Sequence, residues 1–282
     1  MLTVLEIIKR TTEFLAGKGI AAPRLNAELV VGHALGRKRM QLYLEFERLL
    51  TETELEQIRP LVRRRAQHEP LQYVVGDTDF CGLKLKTDRR ALIPRPETEQ
   101  LVELVLAWCA VNQPATHILD LGTGTGAIAL ALGRAMPAVK LLAVERSEGA
   151  LALAGENTAA AGLAERVTLA CSDWFSAVPA TRFDVIVSNP PYLAPEETAA
   201  TAREVREFEP IEALTAGANG LGDLEAIIEG APRYLRRGGL LALETGVTQH
   251  AHLLEALRQA GFSHAEGKRD LTNRDRFILA VL

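Results

Sequence analysis

Hydrophobic positions at the front of the chain recur every three or four residues. Leu5, Ile8, Thr12 and Leu15 share one helical stripe, and Leu25, Leu29 and Val30 form a second after Pro23. Thr51-Glu-Thr-Glu54 carries the capping-box pattern of a third helix, which Leu55, Ile58 and Val62 continue. No alternating pattern precedes residue 73, so residues 1–75 predict a small helical bundle. The rhythm then shortens. Tyr73-Val-Val-Gly76, Asp79-Phe-Cys-Gly82 and Leu83-Lys-Leu-Lys86 predict short strands separated by turns, a β-hairpin linker placed at residues 76–95. Ile93-Pro-Arg-Pro-Glu-Thr-Glu99 introduces a helix over Leu101–Ala110. Pro96 lies just inside its start, and Glu97 and Glu99 suit the positive end of the helix dipole.

From Thr116 onward strand and helix alternate. Strands are predicted at His117–Leu121, Lys140–Val144, Val167–Cys171, Phe183–Ser188, Leu240–Glu244 and Phe277–Val281. Helices are predicted at about 126–135, 148–161, 221–236 and 248–260. Such alternation predicts an α/β fold, a doubly wound, mostly parallel sheet occupying residues 96–282. No internal repeat or low-complexity tract interrupts it.

Composition changes this picture little. A length of 282 residues accommodates two domains, and 48% hydrophobic with 24% charged residues is ordinary for a soluble globular protein. The net charge of −4 hides an asymmetry, because residues 1–75 carry 12 basic and 9 acidic residues while the remainder is acidic. A mildly basic front suits an acidic or RNA-bound partner, but strong nonspecific duplex binding needs many more phosphate contacts. Cys81, Cys109 and Cys171 are widely spaced, which argues against a disulfide framework or a zinc site and for a reducing compartment. Glu6 and Lys9 fall where a signal peptide would be apolar, and Leu101–Val111 is too short to span a bilayer. A cytoplasmic protein without a metal is expected.

Candidate chemistry gathers at the ends of the predicted strands. Leu119-Asp-Leu-Gly-Thr-Gly-Thr-Gly126 follows the first strand and opens a helix. Gly122, Gly124 and Gly126 permit a tight turn and close approach of a ligand, and the helix start presents N–H groups to a negative charge. Glu145 ends the second strand, where an acid can take two ribose hydroxyls. Asp173 after the third strand could accept from an exocyclic amine, with Trp174 or Phe175 covering a purine face. The spacing Gly122-x-Gly124-x-x-Ala127 also satisfies the dinucleotide pattern, so a nicotinamide cofactor competes. Taken together, the three sites fit a mononucleoside with an amino-acid tail, S-adenosylmethionine.

The fourth strand, Phe183-Asp-Val-Ile-Val187, runs into Ser188-Asn-Pro-Pro-Tyr-Leu193. Asn189 offers a side-chain carbonyl, and Pro190 a backbone carbonyl without an N–H of its own. Each precedes a proline and is biased toward extended backbone. Two acceptors can therefore converge on a planar –NH2 group, with the Tyr192 ring against its face.

Asn189-Pro-Pro-Tyr192, Asp120-Leu-Gly-Thr-Gly-Thr-Gly126, Ser172-Asp-Trp-Phe175 and Ile93-Pro-Arg-Pro-Glu-Thr-Glu99 resemble the bacterial peptide chain release factor glutamine methyltransferases, the HemK/PrmC family. Glu69-Pro-Leu-Gln-Tyr73 and Phe208-Glu-Pro210 extend the resemblance over nearly the whole chain. It implies a Rossmann-like methyltransferase sheet whose last strand is antiparallel, behind a helical substrate-recognition domain. It further implies N5-methylation of the glutamine in the Gly-Gly-Gln loop of release factors, with S-adenosyl-L-homocysteine as product. Gly122, Thr123, Gly124, Thr125, Gly126, Glu145, Asp173, Trp174 and Asn189 would hold the cofactor. Asn189, Pro190, Pro191 and Tyr192 would hold the glutamine amide, with Asn189, Pro190 and Tyr192 catalytic. The partners are then release factors, without nucleic-acid specificity or a membrane, and the chain a monomer. Glu145 stands where many members carry Asp, and Gly220-Leu-Gly-Asp-Leu224 lacks an aromatic that often follows the Asp.

The tetrad alone is shared with adenine-N6 methyltransferases, which leaves DNA or RNA as the second substrate class. A non-catalytic translation-factor binding module and a nicotinamide dehydrogenase complete the readings. Glu97 and Glu99 either order a loop above the cofactor or only favour the helix start, and Glu209 is a candidate contact to the substrate loop. Arg63-Arg-Arg65 reads as a solvated helix face, and the His250-x-His252 pair as a solvated helix start.

Overall fold

The computed structural model of the protein describes residues 2–112 and 114–282. In chain order the elements are α1 (Val4–Gly17), α2 (Pro23–Leu35), α3 (Arg39–Leu44), α4 (Glu52–Ala66), α5 (Leu71–Val75), β1 (Asp77–Phe80), β2 (Leu83–Lys86), α6 (Pro96–Val111), β3 (His117–Leu121), α7 (Ala127–Ala135), β4 (Lys140–Glu145) and α8 (Glu148–Ala160). There follow β5 (Val167–Cys171), β6 (Phe183–Ser188), α9 (Pro195–Ala199), α10 (Arg203–Phe208), α11 (Gly222–Gly230), β7 (Leu235–Glu244), α12 (His250–Gln259), β8 (His264–Arg269) and β9 (Asp275–Val281). The chain divides into two compact units. One is Met1–Asp77 with Ala202–Phe208, and the other Thr78–Thr201 with Glu209–Leu282.

The first unit is helical. Thr3 and Thr51 each accept from the backbone N–H three residues on, while Glu6 and Glu54 reach back to the cap N–H at 2.8 and 2.9 Å. These reciprocal bonds satisfy amides that a helix start otherwise leaves orphaned. Ile8, Leu15, Val30, Val31, Leu42 and Ile58 form the core. Two expectations are corrected here. Tyr73-Val-Val-Gly76 is not a strand but the end of α5, which Gly76 closes at φ +84° by donating to the Gln72 carbonyl at 2.7 Å. Arg63-Arg-Arg65 is not uniformly solvated, because Arg65 is buried and donates to Asn26 Oδ1 at 2.7 Å, the Glu69 carbonyl at 2.9 Å and Glu204 Oε2 at 2.7 Å.

In the second unit seven strands form one sheet in the order β5-β4-β3-β6-β7-β9-β8. The first five are parallel, and β9 runs antiparallel to both β7 and β8. Successive residues serve opposite faces. Ile118, Val185 and Val187 join one apolar layer with Leu101, Leu130 and Phe277, while Leu119, Leu121 and Ile186 join the other with Leu224, Leu241 and Leu253. Each such side chain, taken fully from water, contributes about 1.5–3 kcal/mol, so the central strands are the rigid part of the unit. The chain leaves β3 outward to β4 and β5, then returns to β6 on the other side of β3. That reversal opens a crevice at the carboxyl ends of β3 and β6, where ligands of open sheets bind. Ser188 Oγ donates to the Leu121 carbonyl at 2.7 Å and ties the two strand ends together.

The expected six strands and four C-terminal helices are present, with three differences. The helix expected over 221–236 stops at Gly230, a 3₁₀ turn spans Ala231–Arg233, and β7 begins already at Leu235, which pairs with Phe183. The strand expected from residue 79 runs from Asp77 to Phe80, and Cys81-Gly82 form its turn, both at positive φ. Strand β8 was not expected. Among the described residues no helix is long and apolar enough to cross a membrane.

Candidate active site

The glycine turn after β3 is pinned to β4. Gly122 and Thr123 both donate to the Val144 carbonyl, at 2.9 and 3.0 Å. Gly122 has φ +69°, and a Cβ there would come within 3.3 Å of the Trp174 ring. Gly124 has φ +56°, and a Cβ there would meet nothing within 4 Å, so the turn leaves open space above itself. Gly126 caps α7, whose first residues Ala127 and Ile128 line the crevice with N–H groups that lack intrahelical acceptors.

Two acids frame this turn. Asp120 is fully buried, and its Oδ2 accepts from Thr123 Oγ1 and from the Ala129 N–H at 3.2 Å. Its Oδ1 has no partner among the described residues. Burial pushes the Asp120 carboxyl up to about 7, against the pull of those two bonds. Glu145 Oε2 accepts from the Gly124 N–H and Oε1 from the Ser147 N–H, each at 3.0 Å. One backbone donor per oxygen orients the carboxylate and leaves further lone pairs facing the crevice.

The turn after β5 presents Asp173 and Trp174 to the same crevice. Trp174 adopts φ +44°, a conformation costly for a bulky residue, and its Nε1–H donates to Asp223 Oδ1 at 3.2 Å. Ser172 Oγ holds the turn by donating to the Trp174 carbonyl at 2.9 Å. Phe175 turns elsewhere, stacked on Tyr234 at 4.8 Å between ring centroids, so Trp174 is the ring that faces the crevice.

Asn189 is half-buried at the end of β6. Its Nδ2 donates to Thr98 Oγ1 at 3.0 Å, the one hydrogen bond its side chain makes among the described residues, which leaves Oδ1 without a protein donor. Thr98 Oγ1 donates in turn to Glu244 Oε2 at 2.8 Å. Tyr192 OH donates to Glu244 Oε1 at 3.3 Å, and Arg276 Nη1 donates to Tyr192 OH at 3.3 Å. Burial, and then the Glu244 charge, raise the Tyr192 hydroxyl above its ordinary range, so it stays protonated. Gln249 fixes the tetrad's backbone through bonds from Nε2 to the Tyr192 carbonyl at 2.9 Å and the Gly220 carbonyl at 3.0 Å.

The glycine turn, the turn after β5 and the end of β6 line one cleft. It brings together Gly122, Thr123, Gly124, Thr125, Glu145, Asp173, Trp174, Asn189 and Pro191. Gly126, Pro190 and Tyr192 do not line it, and Pro190 is buried. The donor set fits S-adenosylmethionine. The open space above Gly124 would admit a chain, the α7 start would face its carboxylate, Glu145 could accept from a ribose, and Trp174 offers an aromatic face. Arg90, Ser147, Thr98, Pro210, Glu212 and Ala213 also line the cleft. Of these, Thr98 and Pro210 lay inside motifs that the sequence singled out.

The remaining candidates have internal partners. Glu99 Oε1 accepts from the Cys81 N–H at 2.7 Å, and Glu97 lies 3.7 Å from Arg274; neither lines the cleft. The Glu209 carboxylate is buried, pairs with Arg95 and accepts from the Ile93 N–H at 3.1 Å, so it fastens the Ile93–Arg95 loop. His252 is exposed beside Glu225, but His250 is buried against Thr245, which corrects the reading of that pair as solvated.

The chain matches the family described as PrmC N-terminal domain over residues 6–76 and the methyltransferase small domain over residues 102–208. It is 40% identical to the release factor glutamine methyltransferase of Geobacter sulfurreducens, over 98% of this chain and 95% of that one. It is 41% identical to the protein of the same name from Cereibacter sphaeroides, over 95% and 94%. Among solved structures, a methyltransferase from Pyrococcus furiosus superposes with a TM-score of 0.53 at 21% identity, over 71% of this chain and 89% of that one, and shares the fold.

Proposed function

The chain belongs to the release factor glutamine methyltransferase family, and from that premise we propose that the Asn189 carbonyl oxygen receives a glutamine carboxamide beside a cofactor held on the Gly122–Ile128 turn. The protein is an S-adenosylmethionine-dependent methyltransferase that methylates the side-chain nitrogen of the glutamine in the Gly-Gly-Gln loop of peptide chain release factors. Gly122–Gly126, Glu145, Asp173, Trp174 and Asn189 hold the cofactor. Asn189, Pro190, Pro191 and Tyr192 hold the substrate amide. The helical front recognises the body of the release factor, and the enzyme works as a cytoplasmic monomer.

An amide nitrogen is a weak nucleophile because its lone pair is delocalised into the carbonyl. Bound S-adenosylmethionine supplies an electrophilic methyl on a sulfonium and leaves as S-adenosyl-L-homocysteine. The task of the protein is to aim the lone pair and support positive charge growing on nitrogen. Asn189 Oδ1 accepts one N–H bond from the cleft wall, and the Pro190 carbonyl, which stands outside the cleft lining, is the acceptor proposed for the other; together they turn the lone pair toward the methyl. Both bonds strengthen as the nitrogen gains charge, so they favour the transition state over the ground state. Orientation supplies about 7–11 kcal/mol in ideal cases, against about 1.5–3 kcal/mol for one hydrogen bond to a charged group, so it dominates. No strong base is required, since the proton is acidified as the new N–C bond forms and passes to solvent.

The observation that carries this reading is the unpaired Asn189 Oδ1 on the wall of the cleft that also holds Glu145 and Trp174. The test is incubation with methyl-labelled cofactor and, separately, a release factor and duplex DNA. Label on a Gly-Gly-Gln loop peptide is the expected result, and label on adenine overturns it.

A further inference from the structure

Asn189 can serve as an acceptor only if its carboxamide stands one way round, and the two ends of that group are nearly the same size. Something must decide between a carbonyl facing the cleft and an –NH2 facing it. An –NH2 in that place would meet the substrate –NH2 donor against donor. The answer lies outside the tetrad, on α6 and β7.

Thr98 Oγ1 carries one hydrogen and two lone pairs. Its hydrogen goes to Glu244 Oε2 at 2.8 Å. An ionised carboxylate only accepts, and the second oxygen of Glu244 is occupied by Tyr192 OH at 3.3 Å. Thr98 Oγ1 therefore has only lone pairs left for Asn189, and only the Asn189 –NH2 can be its partner. Glu244 is 1% exposed and Thr98 4% exposed, so both groups depend mainly on these internal partners. We infer that Thr98 and Glu244 are positioning residues that set the orientation of the Asn189 carboxamide, through a chain of donors that starts at the Glu244 carboxylate and ends with the Asn189 oxygen facing the cleft. This inference rests on the proposed role of Asn189 and deepens it.

The arrangement works only while Glu244 is ionised. A protonated Glu244 can donate to Thr98 Oγ1. The Thr98 hydrogen is then free to turn toward Asn189, where only Oδ1 can accept it, and the carboxamide reverses. Burial pushes Glu244 up to about 7, opposed by Thr98, Arg276 of β9 and Tyr192, and assisted by Glu97 of α6. Arg95 before α6 faces Tyr192, Asp270 lies 3.8 Å from Arg276, and His250 of α12 bonds Thr245 next to Glu244. Because the value is raised, the ionised form and the working orientation are lost as pH falls through about 7.

The test combines kcat against pH at saturating cofactor with NMR of the Asn189 side-chain –NH2, one of six asparagines in the chain and assignable by deletion. Saturation matters because Asp120, also near 7, belongs to the cofactor turn and affects cofactor affinity instead. Wild type and Thr98→Ser should lose about tenfold in kcat per pH unit below that value, as one required ionisation demands, and the Asn189 signals should move with the same midpoint. Thr98→Val and Glu244→Gln should show lower kcat at pH 8, no acid limb and stationary Asn189 signals, with cofactor affinity lowered no further than in Asn189→Ala. A Thr98→Val enzyme with wild-type kcat and an intact acid limb overturns the inference, as do Asn189 signals that ignore pH in the wild type. If those signals titrate but no release factor is methylated, the orienting chain stands and the substrate reading falls.

Discussion

The Glu145 carboxylate accepts the Gly124 N–H at 3.0 Å, which couples the last residue of β4 to the middle of the glycine turn after β3. The acid holds the turn in shape and, in the proposed reading, also presents lone pairs to a ribose. Glu145→Ala removes both. Cofactor affinity should fall about 10- to 100-fold, the range expected for losing one or two bonds to a charged acceptor. Calorimetric titration with S-adenosylmethionine checks this, and unchanged affinity would remove Glu145 from the binding site.

Gly122→Ala combines two penalties at one position, a left-handed φ of +69° and a Cβ 3.3 Å from the Trp174 ring. The φ alone costs about 1 kcal/mol or more. The variant should unfold at lower denaturant, and displacement of Trp174 should weaken cofactor binding as well. Equilibrium unfolding with and without the cofactor separates the two effects.

Arg95→Ala leaves the buried Glu209 carboxylate with the Ile93 N–H as its remaining partner. Because Arg95 is itself partly exposed, the cost is that of leaving a buried acceptor short of a donor, about 1–3 kcal/mol. Chemical denaturation should report a loss of that order, and Glu209→Gln, which removes the charge together with its need for a partner, should lose less.

Glu244 should link stability to pH. Its carboxyl is raised from 4.5 to about 7, so its contribution is fully present below 4.5 and lost as pH rises through about 7. The loss approaches about 3 kcal/mol at 1.36 kcal/mol per unit. Glu244→Gln does not ionise, so its Tm relative to wild type should improve from pH 5 to pH 8. A Tm difference that is flat across this range would contradict the buried-acid account.

Legibility followed locality. The glycine turn, the acid at the end of β4 and the Asn-Pro-Pro-Tyr bend are short motifs whose residue types impose a backbone or expose a donor set, and the sequence marked all three. Thr98 and Glu244 lie 146 positions apart and meet only because α6 packs beside β7. Thr98 stood between two glutamates that drew attention as helix-start charges, and Glu244 was seen only as the end of a strand. Gln249 was likewise invisible, since its role is to bond the carbonyls of Tyr192 and Gly220. In the fold, β8 escaped because His264-Ala-Glu-Gly-Lys-Arg269 is an edge strand with little apolar alternation. Tyr73-Val-Val misled in the opposite sense. Its β-branched residues favour strand, but the turn held from Pro70 to Gly76 closes as a short helix. The start of β7 was hidden by Arg236-Arg-Gly-Gly239, four residues without an apolar side chain inside a strand.

Methyl transfer measured together with cofactor binding in Asn189→Ala tests the role of Oδ1. Methylation of the release-factor loop glutamine should disappear while S-adenosylmethionine affinity falls only modestly, if Oδ1 serves the incoming amide and the cofactor rests mainly on the glycine turn, Glu145 and Trp174. Undiminished methylation by that variant would contradict that role.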